Sequence, residues 1–176
     1  MRLFAILSIT VLALTVISFS QSNEQVLKRG KFAGEWKFDP LRSTVGPEDK
    51  NRSETLEISY TLPELRIVKT QSKSYGETKS VVNTFYTDGK GEVNQPYPFL
   101  PDTQEKTITK WTDDVLYVQG QVGKTGKNGP KDLFIDSKRW YSLSDDGNTL
   151  TIKESLKWDL FFSKKTESTR IYTRTH

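Results

Sequence analysis

The chain has no cysteine, and its single histidine is His176. Without cysteine there are no disulfides, no thiolate metal site, no cysteine nucleophile and no lipid-bearing cysteine. With one histidine, a histidine-based triad, a histidine-cluster zinc site and a proximal-histidine haem site lack their parts. Charge of one sign is also scarce. The 26 lysines and arginines stand against 22 acids, a formal net charge of +4, too small a surplus to argue for nucleic acid. No stretch of about a dozen residues carries a helical apolar stripe. No cofactor, metal or catalytic set is expected from this material, and no nucleic-acid partner.

What is present begins with one apolar run, Leu3 to Phe19, behind Met1-Arg2. Ser18 and Ser20 place small residues before Gln21, which reads as a signal peptide, residues 1–20, cleaved before Gln21. No later run is long enough to span a bilayer. The sequence therefore predicts an exported protein, periplasmic or secreted, with no transmembrane segment after cleavage. Residues 21–33 read as a polar lead-in, and residues 34–176 as one domain, long enough to bury a core without staples.

That domain is written in short alternating runs rich in Val, Ile, Thr, Tyr, Phe and Trp, cut by Gly, Pro and Asp, which is the pattern of strands. Ten are expected: 34–39, 53–60, 65–71, 77–87, 91–95, 104–112, 115–122, 132–143, 149–158 and 164–173. Tight links at Leu62-Pro63-Glu64, Thr87-Asp88-Gly89, Thr112-Asp113-Asp114 and Ser144 to Asn148 alternate with longer ones at 40–52, 72–76, 96–103, 123–131 and 159–163. Asp and Gly tolerate the backbone conformations that close hairpins. In a meander every second connection lies at the same end, so the tight acidic turns share one end and the long loops the other. Ten strands laid flat would leave two bare edges, which closure removes. The expectation is an all-β, up-and-down antiparallel β-barrel of about ten strands.

Gly34-Glu35-Trp36, at the start of the first strand, resembles the Gly-x-Trp signature of the lipocalins. The chain is more closely similar to small exported bacterial proteins described as lipocalin-like, through Asp39-Pro40-Leu41-Arg42-Ser43, Tyr86-Thr87-Asp88-Gly89-Lys90, Lys110-Trp111 and Trp140 to Leu150. The Thr-Asp-Tyr motif of the central lipocalin loop is absent. The resemblance implies that Gly34 and Trp36 form the closed end, with an arginine of the last strand, Arg170 or Arg174, against the indole. It also implies carriage of a small apolar or amphipathic molecule.

Candidate binding residues fall in two groups. Trp111, Trp140 and Trp158 lie in strands and either wall a cavity or pack a core. Tyr97, Phe99, Leu100, Phe161 and Phe162 lie on long links at the expected open end, where they form either an apolar rim or a plug. Lys124 and Lys127, with other loop cations, make that end basic and suited to an anionic head group. Glu154 shares a strand face with Leu150, Ile152, Leu156 and Trp158. If that face is inward, burial raises its pKa; if a bulge intervenes, it faces water. Asn51-Arg52-Ser53 matches a glycosylation acceptor. Gly123-Lys124-Thr125 lacks the first glycine of a phosphate loop and any following helix. The function expected is non-enzymatic binding of a small apolar or amphipathic ligand through the loop-rich end. The alternative is a solid-cored module that meets a protein, a glycan or an envelope surface with the same loops.

Overall fold

Ten strands follow one another in the computed structural model, which describes residues 26–73, 75–159 and 163–175. They are β1 (Gly34–Thr44), β2 (Ser53–Thr61), β3 (Glu64–Ser72), β4 (Thr78–Tyr86), β5 (Glu92–Asn94), β6 (Thr103–Thr112), β7 (Val115–Lys124), β8 (Lys131–Leu143), β9 (Thr149–Asp159) and β10 (Ser163–Arg174). Strands adjacent in sequence pair antiparallel, except β4 with β5, and β1 also pairs with β10, giving the order β4-β3-β2-β1-β10-β9-β8-β7-β6-β5. This is an up-and-down meander curled into a nearly closed all-β barrel. Its short turns gather at one end and its long loops at the other.

Curling brings the two sheet edges, β4 and β5, together without a backbone ladder. Side chains take the place of the missing rungs. The Asn94 amide accepts from Thr84 N at 2.8 Å and donates to Thr84 O at 2.9 Å, as an opposing peptide group would. Asn83 Nδ2 donates to Gln95 O at 2.7 Å, and Tyr86 N donates to Glu92 Oε2 at 3.2 Å. The bare backbone groups that would make the edges a template for aggregation are partly used up inside the molecule.

Three stretches differ from the sequence expectation, one of them a four-residue helix, Pro47–Lys50, in the link after β1. β1 does not stop at Asp39 but continues to Thr44 through a break in register. Asp39 Oδ1 accepts from the N–H groups of Leu41 and Arg42, at 3.1 and 3.2 Å. Ser43 Oγ bonds Asp39 O at 2.6 Å and accepts from Ile171 N at 2.9 Å. Local side-chain bonds thus carry the strand across Pro40, and the bulge keeps its pairing with β10. The lead-in is not all loose: residues 26–30 are helical, in keeping with straight-chain residues such as Leu27, Lys28 and Arg29. They belong to a unit separate from the barrel, which spans Phe32–His176. The expected signal peptide, residues 1–20, lies outside the described residues. No helix among the described residues is long and apolar enough to cross a membrane.

At the tight-turn end the inward positions are apolar: Phe32, Trp36, Ile58, Leu65, Phe85, Leu116, Val118, Leu150 and Tyr172 form one buried cluster. Trp36 is wholly buried and donates its Nε1–H to Phe32 O at 3.0 Å. Arg174 sits opposite Trp36 in the ladder, with its guanidinium 4.3 Å from the indole centroid. It also bonds Ala33 O at 2.9 Å and Gly147 O at 3.1 Å. Gly34 has φ +139°, and a Cβ there would fall 2.3 Å from Arg174 Nη1. Glycine is therefore what lets the arginine lie across the barrel end.

Candidate functional site: a charged layer beneath the loop-rich end

Toward the long loops the inward positions change character. β2 contributes Glu54, β3 Lys69 and Gln71, β6 Glu105, β8 Ser137 and Arg139, β9 Glu154, and β10 Arg170 and Tyr172. Period-two alternation puts them inside, in phase with apolar neighbours such as Leu56, Ile67, Ile135 and Ile152. Arg139 is the hub. Its Nη1 and Nη2 form a fork on Glu105, both at 2.8 Å, and its Nε bonds Glu154 Oε1 at 2.8 Å. Arg170 joins Glu154 at 3.1 Å to Asp49 at 2.9 Å. Lys69 lies 3.5 Å from Glu54, which also accepts from Gln71 and the Tyr172 hydroxyl. Ser137 donates to Glu105. Gly120 makes room for this on β7: a Cβ there would meet Thr107 Cγ2 at 2.6 Å and Glu105 Oε1 at 2.8 Å.

The electrostatics follow from the pairing. Burial alone pushes the Glu154 carboxyl up, but the Arg139 and Arg170 guanidiniums outweigh it and bring the pKa down to about 2. The sequence expectation of a raised pKa for an inward Glu154 is therefore corrected: the residue faces inward, and two arginines hold it ionised. Glu54 is shifted the same way, burial being overcome by Lys69, Arg170 and two hydrogen bonds. Burial lowers Lys69, with Glu54 opposing. Burial raises the phenol of Tyr141 to about 12. Buried Arg139 and half-buried Lys69 and Arg170 thus face three buried carboxylates, Glu54, Glu105 and Glu154. The layer neutralises itself by pairing, Lys69 with Glu54, and Arg139 and Arg170 with Glu105 and Glu154.

Over this layer lies the segment between β5 and β6. Pro96 and Pro98 are buried, and Tyr97 reaches into the interior. Its hydroxyl is buried and has no hydrogen-bond partner of ordinary geometry among the described residues, although the Arg139 side chain lies close enough to act on the phenol against burial. The fork of Arg139 is occupied by carboxylates. Burial and the nearby Glu154 push the phenol well above its ordinary range. The cavity that remains among Tyr97, Lys69, Arg139, Glu154, Arg170 and Tyr172 is about 50 Å³. Pockets for drug-sized ligands run to roughly 300–1,000 Å³, so this cavity as folded has no room for an acyl chain.

The residues named from sequence are dispersed. Trp111 is at the tight-turn end, donating to the Tyr60 hydroxyl at 3.2 Å, with its ring 5.2 Å from that of Phe32. Trp140 does not wall the interior. It points outward between inward Arg139 and Tyr141 and packs on Tyr117 at 5.5 Å. Trp158 is half-buried opposite Ile135, on the inward phase of β9. Phe99 is half-buried under Lys73 and Lys79, 4.2 and 5.3 Å from its centroid. Leu100 is 48% exposed, and Phe161 and Phe162 lie outside the described residues. Lys124 pairs with Asp132 at 3.5 Å, and Lys127 is exposed. Arg170 is part of the charged layer, so the indole of Trp36 is met by Arg174. Sequence reasoning did not single out Glu54, Lys69, Glu105 or Arg139. The signal available was their phase: each sits two residues from an inward apolar or small residue.

No protein-family model matches the chain, and no curated protein matches it. Among solved structures it is similar to Rv2717c from M. tuberculosis, at TM-score 0.51 and 12% identity over 86% of this chain and 98% of that one. It is also similar to the fatty-acid-binding protein isolated from Manduca sexta, at TM-score 0.47 and 10% identity, covering 80% of this chain and 97% of that one. A redesigned β-barrel bound to DFHBI, mFAP1, gives TM-score 0.38 and 15% identity over 83% and 97% of the two chains. The likeness is one of fold.

Proposed function

We propose that this is a non-enzymatic binding barrel whose ligand is small, neutral and amphipathic, and enters at the loop-rich end by displacing Tyr97. The observation that carries this reading is the buried Tyr97 hydroxyl, unbonded above a charged layer. A buried hydroxyl without a partner costs about 1–3 kcal/mol. The segment that holds it is a connection at the barrel mouth, not a strand, and a ligand that fills the same space with a better-placed polar group would gain what Tyr97 lacks. Neutrality follows from the layer itself. Arg139 and Arg170 are matched by Glu105, Glu154 and Asp49, so an incoming carboxylate would find no surplus cation and would face three anions. The long-chain anionic ligand suggested by the loop lysines is therefore set aside in favour of a ring or short chain bearing a hydroxyl or amide.

Export remains part of the proposal, supported by the Leu3 to Phe19 run and the small residues before Gln21. So does kinship with small exported lipocalin-like proteins, supported by Gly34, Trp36 and the Arg174 stacking.

The test is calorimetric titration of the protein with phenols, short alkanols and a fatty-acid series. Saturable binding of the small neutral compounds, weakly dependent on salt and lost as chains lengthen, is the expected result. No saturable binding by any of them would overturn the interior reading and leave the solid-cored, surface-binding alternative.

A further inference from the structure

The outward face of β8, β9 and β10 forms a groove of about 800 Å³. Lys138, Lys153, Lys157 and Lys165 line it, all exposed. Lys157 and Lys165 sit directly opposite one another across β9 and β10, a like-charge pairing that destabilises a sheet when nothing neutralises it. The carboxylates nearby supply only part of that neutralisation, with Asp136 the direct cross-strand partner of Lys157 on β8 and Glu167 paired with Lys165. Asp136 accepts from Gln121 at 3.1 Å, Glu167 is engaged by Lys165 at 2.7 Å, and the Glu154 side chain is turned inward to Arg139 and Arg170. Lys138, Lys153 and Lys157 have no ion-pair partner among the described residues. Trp140 lies beside them as the direct cross-strand partner of Lys153. Tyr117 flanks it, with Lys110 5.9 Å from the phenol centroid. Hydroxyls of Ser142, Ser155 and Thr169 fill out the lining.

We infer that this groove binds an acidic polysaccharide, its carboxylates on the lysines and a sugar ring against Trp140. Unneutralised cations call for a polyanion. Among the described residues the lining has no arginine, the side chain best suited to two-point capture of phosphate; lysines suit single carboxylates spaced along a chain. An indole packs well against the C–H face of a sugar, and flanking hydroxyls match its hydroxyls. A groove also admits a chain where a flat bilayer would rest on its rims. The inference goes beyond the interior reading and does not depend on it.

The test is titration of the full chain with polygalacturonate, with dextran, an oligo-dT and phosphatidylglycerol vesicles as competitors for the assignment. The expected result is binding of polygalacturonate alone, weakened at least tenfold between 20 and 200 mM salt on the order expected from Debye screening. Trp140→Ala and the double variant Lys138→Glu/Lys157→Glu should each lower affinity at least tenfold. Lys124→Glu, at the loop end, should leave it unchanged. The two lysines are exposed, so circular dichroism of the double variant should match the parent and keep the test valid if Trp140→Ala fails to fold. Tighter binding of oligo-dT or vesicles, equal binding of dextran, or indifference to the lysine substitutions would each overturn the assignment.

Discussion

The two halves of the barrel interior are built from opposite materials. Around Trp36 the inward positions are apolar and closely packed, and one cation, Arg174, lies across them from outside the core. Beneath the loops the same strands turn inward Glu54, Lys69, Glu105, Arg139, Glu154 and Arg170. The first half earns stability from area removed from water. The second gains little net energy from its ion pairs, because desolvation offsets attraction, yet it is intolerant of losing any one partner. The difference teaches where exchange with a ligand could occur. A packed apolar half has nothing to give up, whereas the charged half is covered by one tyrosine that is itself poorly satisfied.

That contrast can be broken from either side. Trp36→Ala should cost about 3–5 kcal/mol, the range for truncating a buried aromatic, with a loss nearly independent of pH above 5. Arg139→Met should cost a similar amount, about 3–5 kcal/mol, by leaving Glu105 buried without its guanidinium and Glu154 with Arg170 alone. Its loss, unlike that of Trp36→Ala, should shrink as acid protonates Glu154, whose pKa Arg139 helps to lower. Urea midpoints of both variants between pH 7 and 3 separate the two behaviours; parallel curves would mean that the layer is not ionised as described.

The next effect in size is the acid limb of the parent protein. Glu154 has its pKa lowered to about 2 from an ordinary 4.5. A lowered folded-state pKa contributes stability that is present above the unfolded value and is lost as pH falls through the folded one. Stability should therefore decline between about pH 4.5 and pH 2, by on the order of 3 kcal/mol from this group, with Glu54 adding in the same direction. Glu154→Gln should flatten that limb, and an unchanged slope would contradict the pairing. Smallest is Tyr97→Phe. Removing a buried hydroxyl that has no partner should raise stability by about 1 kcal/mol, read as a small increase in melting temperature. A decrease would mean that the hydroxyl is bonded after all.

How much of this the sequence disclosed follows the same division. Alternation fixed nine of the ten strands to within two residues, because Asp and Gly turns punctuate runs of β-branched and aromatic residues. β1 ran on past Pro40 because Asp39 and Ser43 supply bonds that no periodicity encodes. Gly34 and Trp36 were visible as a motif, and a count of strand ends narrowed the arginine against the indole to Arg170 or Arg174 without choosing between them. The charged layer was not, since a charge at an alternating position normally marks the wet face. On β8 the usual assignment is inverted, with Arg139 inward and Trp140 outward. Only the phase of Ile135, Ser137 and Tyr141 betrays it. The equal numbers of inward acids and bases come from distant strands, so they become a network only once the barrel closes. Tyr97 was legible as an apolar residue on a loop, but whether it formed a rim or a plug depended on where Pro96 and Pro98 turned the chain.

The most direct test of the account is chemical rescue of Tyr97→Ala by p-cresol, the free counterpart of the deleted side chain. Titration followed by calorimetry and melting temperature should show saturable p-cresol binding to the variant, at least tenfold tighter than to the parent. The melting temperature should rise toward the parent value, and the anion 4-methylbenzoate should bind far more weakly. A folded Tyr97→Ala protein that takes up no p-cresol, or that prefers the anion, would contradict the claim that Tyr97 occupies a neutral ligand's place above a self-neutralised layer.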